Sequence, residues 1–281
     1  MEIKGIFKAL SPIHQGGNEK TGAEITLNRL SFFIDGRNEE IPIVSGNGIR
    51  GAFRRRLARD FLKLLNVDKL ESKRLFYMFF AGGANYEVVS EKDAGTINLE
   101  LRTKIRKLFP IVSLLGGNLG NQAFEGALKC GIARPICQEL VNANMLPLDF
   151  LKKNGITHFP SFREYLGQEF FTRKDDLRDR KEDEAAVQML VTREVFVPGT
   201  LFFHKWVLRS NDPIIEACFW RGIKLFIEDP RVGGGSSTNM GELEIYYENY
   251  QEDLDIEYLN FLDENKKDII EKIQELSKTW K

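Results

Sequence analysis

A run of arginines behind a glycine-rich turn is the feature of this sequence best suited to bind an anion. The letters SGNG at 45–48 lead into a segment that contains Arg50, Arg54, Arg55 and Arg59. Free amides at a helix N-terminus and guanidinium groups both bind phosphate. A solvated helix face is the simpler interpretation of most charged helices, but such faces usually mix lysine with glutamate. We predict that a phosphate-bearing ligand contacts Asn47, Gly48, Arg50, Arg54 and Arg55.

A second glycine-rich segment, VGGGSSTNMG at 232–241, has a composition suited to contact a phosphate backbone. It is not a P-loop, because Gly-X4-Gly-Lys-Ser/Thr is absent and a strand-like run follows instead of a helix. It is not a dinucleotide fingerprint for the same reason. Glycine permits close approach of the backbone to a ligand, and its amides can then contact phosphate. The predicted contacts are Gly234, Gly235, Ser236, Ser237 and Asn239.

The histidines and cysteines form no recognisable metal or nucleophile motif. No CxxC or HExxH pattern occurs, so we expect no metal and no cofactor. His204 lies in an apolar run and is expected to be structural, whereas His14, between Pro12 and Gly16, is a candidate to face a ligand. The cysteines are expected to be reduced and mostly buried thiols: Cys130, Cys137 and Cys218.

Residues 159–184 combine basic residues and aromatics without clear core periodicity. This composition indicates a projecting insertion, and its basic residues are further candidates to bind nucleic acid: Arg173, Lys174 and Arg178.

The elements that must position these residues follow from hydrophobic periodicity. A helix over 49–65 buries a stripe at spacings of three and four: Ile49, Phe53, Leu57, Phe61 and Leu64. Strands are predicted at 3–10, 27–34, 126–137 and 242–247, with Asp35-Gly36 as a turn. Runs 189–197 and 200–208, joined by Pro198-Gly199, predict an antiparallel hairpin. Further helices are predicted at 75–80, 97–108 and 214–226, and one or two at 254–280.

Strands and helices mix without strict βαβ alternation, which predicts an α+β domain with a mainly antiparallel sheet. The 281 residues are 42% hydrophobic and 29% charged, as is usual for a globular chain. No apolar run reaches the roughly 18–20 residues of a membrane span, the N-terminal segment does not read as a signal peptide, and the cysteines read as reduced thiols, so we expect a cytoplasmic protein. The net charge of −1 is unevenly distributed: 248–281 is strongly acidic, and the basic stripe at 50–63 can bind phosphate locally.

Three separated motifs resemble the RAMP superfamily of CRISPR proteins. IVSGNGIRG at 43–51 looks like the entry to that superfamily's first helix, VGGGSSTNMG at 232–241 like its C-terminal glycine loop, and LSPIHQGG at 10–17 like the segment after its first strand. Within the superfamily the chain resembles the large backbone subunit, and most nearly the type IV branch. The grounds for that branch are FFAGG at 79–83, SLLGG at 113–117, FTRKDD at 171–176 and VPGT at 197–200.

The resemblance implies one RAMP-type domain over 1–281 with a ferredoxin-like, RNA-recognition-type antiparallel sheet core. It also implies a helical or finger insertion at about 66–135 and a protruding thumb at about 155–195. The acidic helices expected at 248–281 depart from the superfamily pattern.

The function implied is that of a non-catalytic subunit that polymerises head to tail along a guide CRISPR RNA and presents it to complementary target DNA or RNA. Other effector subunits would be partners, and His14 and Gln15 would join the RNA contacts. The alternative is a RAMP endoribonuclease that processes guide precursors, with His14 as general acid or base, or that cleaves target RNA. In type III relatives an aspartate after the first strand promotes that cleavage. The matching region, 22–33, has Glu24 as its sole acid, and Asp35 lies in the turn beyond.

Overall fold

A computed structural model describes residues 1–21, 24–83, 97–173 and 189–280 of the chain. The strands are β1 (Glu2–Ala9), β2 (Gly16–Thr21), β3 (Glu24–Leu27), β4 (Arg29–Ile34), β5 (Arg37–Pro42), β6 (Gly117–Leu119), β7 (Gln122–Phe124), β8 (Leu128–Cys130), β9 (Arg134–Pro135), β10 (Leu166–Arg173), β11 (Met189–Phe196), β12 (Leu201–Leu208) and β13 (Leu243–Tyr247). The helices are α1 (Gly46–Leu64), α2 (Lys73–Phe80), α3 (Leu99–Leu108), α4 (Pro110–Leu115), α5 (Gln138–Asn142), α6 (Leu148–Lys153), α7 (Pro213–Glu228), α8 (Ile256–Glu264) and α9 (Lys266–Thr279).

The central sheet has the order β13-β1-β12-β8, and every neighbouring pair is antiparallel. Short β9 also pairs with β12, so β8 and β9 together form one interrupted edge strand. With α1 after β1 and α7 after β12, the chain follows the βαββαβ path of a ferredoxin-like fold. The predicted α+β class with a ferredoxin-like antiparallel core is thereby confirmed.

Helices α1 and α7 pack together against the central sheet through aromatic side chains. The ring of Phe53 on α1 lies 5.0 Å from Trp206 on β12 and 6.2 Å from Phe219 on α7. A Cβ at Gly222 would lie 2.1 Å from the Phe53 ring, so a glycine is required where the two helices approach. This packing fixes the orientation of α1, the helix that carries the arginine run.

A second sheet, of order β10-β11-β3-β2, stands beside the core. Strands β10 and β11 pair antiparallel along their full length and form the two arms of the predicted thumb region. Residues 174–188, which include Lys174 and Arg178, lie outside the described residues.

The predicted hairpin of 189–197 with 200–208 is wrong. Strand β11 pairs with β10 and β3, whereas β12 lies in the central sheet. Both edges of β12 are occupied, by β1 on one side and by β8 and β9 on the other, so β11 has no edge to join. The Pro198-Gly199 turn therefore crosses between two sheets, and the amide of Gly199 donates to the carbonyl of Ala9 at 2.7 Å.

The remaining predicted helices and strands are present with small shifts of their ends, except that the strand predicted over 126–137 is broken into β8 and β9. The Asp35-Gly36 turn joins β4 to β5 with both residues at positive φ, 49° and 82°. The acidic C-terminus is folded: the Trp280 carbonyl accepts a hydrogen bond from Ser72 Oγ, and the Trp280 ring packs against Gly120. Within the described ranges, no helix is both long enough and apolar enough to cross a membrane.

Candidate nucleic-acid interface

The first turn of α1 is built by a cap that involves two segments of the chain. Ser45 is the N-cap, and its Oγ accepts the Gly48 amide at 3.0 Å. Gln15 completes this cap, because its Oε1 accepts the Ser45 amide at 2.5 Å and its Nε2 donates to Ser45 Oγ at 2.9 Å. Gln15, predicted to contact RNA, thus holds the helix N-terminus in place.

Residues 46–48 are helical, which corrects the prediction that they form a loop before a helix beginning at Ile49. Their glycines serve close packing: a Cβ at Gly46 would lie 2.8 Å from the Cys130 carbonyl oxygen, and one at Gly48 would lie 2.0 Å from Gln15 Nε2. Asn47, between them, is exposed. The first turn also contains no acidic residue, which favours an anion near the positive end of the helix dipole.

The arginines of α1 fall into two groups. Arg55 and Arg59 are exposed, and neither pairs with a carboxylate among the described residues. Arg56 turns aside and its Nη2 pairs with Asp229 at 2.9 Å. Arg50 is half-buried and its Nη2 donates to the Leu115 carbonyl at 2.5 Å. Within the described ranges, positive charge without a counter-ion therefore concentrates along Arg55 and Arg59.

Arg54 does not project from the helix as the sequence suggested; it is 6% exposed. Its guanidinium donates to the carbonyls of Met78, Leu115 and Gly116 at 3.2, 2.6 and 2.9 Å. Burial, with a smaller effect of Arg50, lowers the pKa of Arg54 to about 10, so the side chain remains charged at neutral pH. Its main role is to anchor α1 to the loop after α4.

Two grooves flank the exposed face of α1 and share Asn47, Gly51 and Arg55. The first, the His14 groove, has a volume of about 430 Å³ and lies towards the glycine-rich loop, against Arg56, Arg59 and Arg231. The second, the Phe80 groove, has a volume of about 650 Å³ and lies towards α2 and the loop after α4. The shared residues make the two grooves a continuous surface across the helix.

The glycine-rich loop forms the far wall of the His14 groove. The Gly234 amide donates to the His14 carbonyl at 2.9 Å, and Gly233 and Gly235 have φ near +80°. Of the predicted contacts, Gly234 lines the groove and Gly235 supports the turn that begins the 3-10 segment Ser236–Thr238. Ser237 is exposed. Asn239 Oδ1 instead accepts hydrogen bonds from both terminal nitrogens of Arg231, each at 3.1 Å.

His14 lines the same groove but is only 7% exposed. Its Nδ1 lies 2.7 Å from the Glu194 carbonyl oxygen, which can only accept a hydrogen bond, so Nδ1 carries a proton. In the neutral ring Nε2 is then an acceptor. Position and tautomer are compatible with contact to a ligand hydroxyl.

Several groove residues were missed by sequence reasoning. Arg231 and Asp229 come from the segment before the glycine loop, and Phe80 and Asn118 come from helical and hairpin regions remote in sequence. The glycine pairs at 82–83 and 116–117 were a usable signal, because they mark close approach of the main chain beside α1.

Of the basic residues predicted to bind nucleic acid in the thumb region, Arg173 is the last residue of β10, and Lys174 and Arg178 fall outside the described residues.

The two grooves differ in charge and in apolar character. Four arginines and one carboxylate, Asp229, line the His14 groove. The described residues lining the Phe80 groove include no acid and add the apolar side chains of Phe80, Leu115 and Phe124. In the described part of the chain, no group of three or more His, Cys, Asp or Glu side chains is placed to hold a metal ion.

Neither a protein-family profile nor a curated protein sequence matches this chain. Its fold does resemble solved structures, among them a chain of a Type IV-B CRISPR complex. That chain superimposes with a TM-score of 0.63 and 16% identity, over 89% of this chain and 91% of its own length. At this identity the resemblance establishes the shared fold, and it spans nearly the whole of both chains.

Proposed function

We propose that this protein is an RNA-binding subunit of a CRISPR effector complex, one that coats guide RNA in head-to-tail copies and does not cut it. The observation that carries the proposal is the carboxylate-poor surface of α1, formed by Asn47, Gly51 and Arg55 between two grooves. Its support from comparison is a fold shared along most of its length with a chain of a Type IV-B CRISPR complex.

The geometry favours contact with phosphates over contact with base edges. The exposed positive residues of α1 line the same groove as its N-terminal residues Asn47 and Gly48, and the glycine loop brings main chain close to it. Contacts of this kind carry no sequence information. A subunit that must accept guides of any sequence and leave their bases free for pairing needs this property.

Copies that bind one RNA side by side would meet through unlike surfaces, because a linear ligand imposes a head-to-tail order. In this proposal the β10–β11 arm reaches the neighbouring copy. The subunit would then present the guide to complementary DNA or RNA together with other effector proteins.

The test is RNA binding by Arg55→Ala/Arg59→Ala, compared with Lys152→Ala/Lys153→Ala as a control of equal charge change. The control lysines are exposed on α6 and are not among the residues lining either groove. We expect the arginine variant to lose affinity for unrelated sequences alike and to show a shallower dependence of affinity on salt, by about one to two phosphate contacts. Equal affinities and salt slopes for the two variants would remove α1 from the RNA interface.

A processing endoribonuclease is the second candidate, because His14 lines a groove with four arginines and its Nδ1 proton is held by the main-chain carbonyl of Glu194. Metal-free incubation with repeat RNA separates the two functions. A discrete product that disappears in His14→Ala would favour the nuclease, whereas intact, protected RNA favours the coating subunit.

Target cleavage is tested separately, on protein assembled with guide RNA and complementary RNA in magnesium or manganese. We expect no regularly spaced cuts, because divalent-metal chemistry needs oxygen ligands at the scissile phosphate. Asp35 sits at positive φ in the β4–β5 turn, a conformation that aspartate tolerates. Cuts that vanish in Glu24→Ala or Asp35→Ala would move the protein into the nuclease class.

A further inference from the structure

We propose that the Phe80 groove binds one nucleobase of single-stranded RNA, stacked on Phe80, while Arg50 and Arg55 contact the adjoining phosphate. The inference rests on the proposed RNA binding and assigns a separate task to each groove. The His14 groove, with arginines and one carboxylate, would follow the sugar-phosphate backbone, and the Phe80 groove would take the base.

Phe80 is supported as a platform by Phe76, one turn earlier on α2. The two rings are stacked with centroids 4.8 Å apart and planes at 18°. Phe76 is 45% exposed, and Phe80 is partly exposed at the groove. Because the ring is held in place before a ligand arrives, little side-chain entropy is lost when a base stacks on it.

Four glycines are among the residues that line the groove, so main chain forms part of its surface: Gly82, Gly116, Gly117 and Gly126. A Cβ at Gly126 would lie 2.5 Å from the Leu115 carbonyl carbon, and one at Gly117 would lie 3.3 Å from the Gly82 oxygen. Side chains at these positions would collide with the loop or narrow the space beside the ring.

Charge distinguishes this groove from an ordinary apolar cleft. No acid is present among its described lining residues, and Arg50 and Arg55 stand on the wall that it shares with α1. An aromatic face beside unopposed positive charge is the combination that binds single-stranded nucleic acid. Stacking uses the face of a base, so its pairing edge stays available and any of the four bases is accepted.

The experiment compares wild-type protein on a short oligouridylate and on an abasic ribose-phosphate oligomer of the same length. Phe80→Leu should lower affinity for the oligouridylate by about 5-fold or more, and leave affinity for the abasic oligomer unchanged. Phe80→Trp should keep wild-type affinity for both. Phe33→Leu, which alters a 69% exposed ring on β4, is the matched control and should change neither.

A second measurement uses wild-type protein and therefore does not require a folded variant. When an oligomer that contains 5-iodouridine is photocrosslinked to the protein, mass spectrometry should locate the crosslink at Phe80 or Phe76. Crosslinks that avoid α2, or equal wild-type affinity for the two oligomers, would overturn the base site. If the abasic oligomer still binds and loses affinity in Arg55→Ala/Arg59→Ala, the proposed function stands without the base site. Absence of binding to either oligomer would overturn both.

Discussion

At the residue scale, Arg54 and Arg55 are neighbours in sequence and have different surroundings. Arg54 is buried and donates three hydrogen bonds to main-chain carbonyls, whereas Arg55 is exposed and lines both grooves. The buried guanidinium satisfies these carbonyls, of which Leu115 also accepts from Arg50, and buried polar groups are costly to leave unpaired. We therefore expect substitution of Arg54 to affect mainly stability, and substitution of Arg55 to affect mainly RNA binding.

We predict that Arg54→Ala lowers the free energy of unfolding by about 3 kcal/mol, because the carbonyls of Met78 and Gly116 lose this buried donor and the Leu115 carbonyl keeps Arg50. Arg55→Ala should change it by less than about 0.5 kcal/mol, as is usual for an exposed side chain. Urea denaturation of both variants measures this difference. Equal stability of the two would contradict the anchoring role of Arg54.

His204 belongs to a buried hydrogen-bond chain across the central sheet. Trp206 Nε1 donates to Tyr247 Oη at 2.8 Å, Tyr247 Oη lies 3.1 Å from His204 Nδ1, and His204 Nε2 lies 3.1 Å from the Gly131 carbonyl. The carbonyl must accept from Nε2, so Nδ1 accepts from the tyrosine and the ring is neutral. Burial lowers the pKa of His204 from 6.5 to about 3.

Because this pKa is lower in the folded than in the unfolded chain, His204 makes the folded state less stable as pH falls. Below pH 6.5 the unfolded chain binds a proton that the folded chain excludes, so the contribution of neutral His204 is lost as pH falls from 6.5 towards 3. We expect the His204 contribution to the free energy of unfolding to fall by about 2 kcal/mol between pH 7 and pH 5. Denaturation curves of wild type and His204→Gln at both pH values measure this contribution as the difference between their pH dependences. An unchanged pH dependence in the variant would exclude His204 as its source.

At the element scale, Arg221 joins α1, α7 and the start of α8. Its guanidinium pairs with Asp60 through Nε and Nη2 at 2.8 and 2.6 Å and with Asp255 through Nη1 at 3.1 Å. The two carboxylates raise the pKa of Arg221 above its ordinary value, with hydrogen bonding to Asp60 as the largest cause. These contacts fix the C-terminal helices to the helix that carries the arginine face.

Replacing Arg221 with methionine should lower the free energy of unfolding by about 3 kcal/mol, since two largely buried carboxylates lose their partner. Lys224→Ala is the control, because its ammonium lies 3.9 Å from Asp255 and is more exposed; a change below about 1 kcal/mol is expected. Thermal and urea unfolding measure both. A methionine variant as stable as wild type would show that hydrophobic packing alone holds α8 against the core.

At the scale of the whole molecule, the sheet β10-β11-β3-β2 is separate from the central sheet but packs beside it, and it carries the arm that we expect to span neighbouring copies. If residues 174–183 are replaced by a short Gly/Ser linker, the monomer should fold and bind RNA within a few-fold of wild type. RNA-dependent oligomers should be lost, because the contact between neighbours is removed. Sedimentation of protein with guide-length RNA measures this. Filaments of wild-type length in the variant would place the contact between copies elsewhere.

Much of the element order could be predicted because local rules agree with the fold. The stripe of α1, the Asp35-Gly36 turn and the apolar alternation of β1 each depend on neighbours within a few residues. The partners of β11 could not be predicted, because they depend on which edges of β12 are already occupied by distant strands. The start of α1 at Gly46 depended likewise on Gln15 and on the close approach of Cys130.

By itself the sequence determined that an arginine-rich amphipathic helix lies beside the SGNG segment at 45–48, and that a glycine loop lies near the C-terminal strand. Residue type and spacing along one helix suffice for that conclusion. Only the tertiary structure decided that Arg54 is covered by the loop after α4, that Arg56 turns to Asp229, and that Arg55 stays exposed between two grooves. Periodicity places a side chain around a helix axis, but its exposure depends on which distant segment packs over that side.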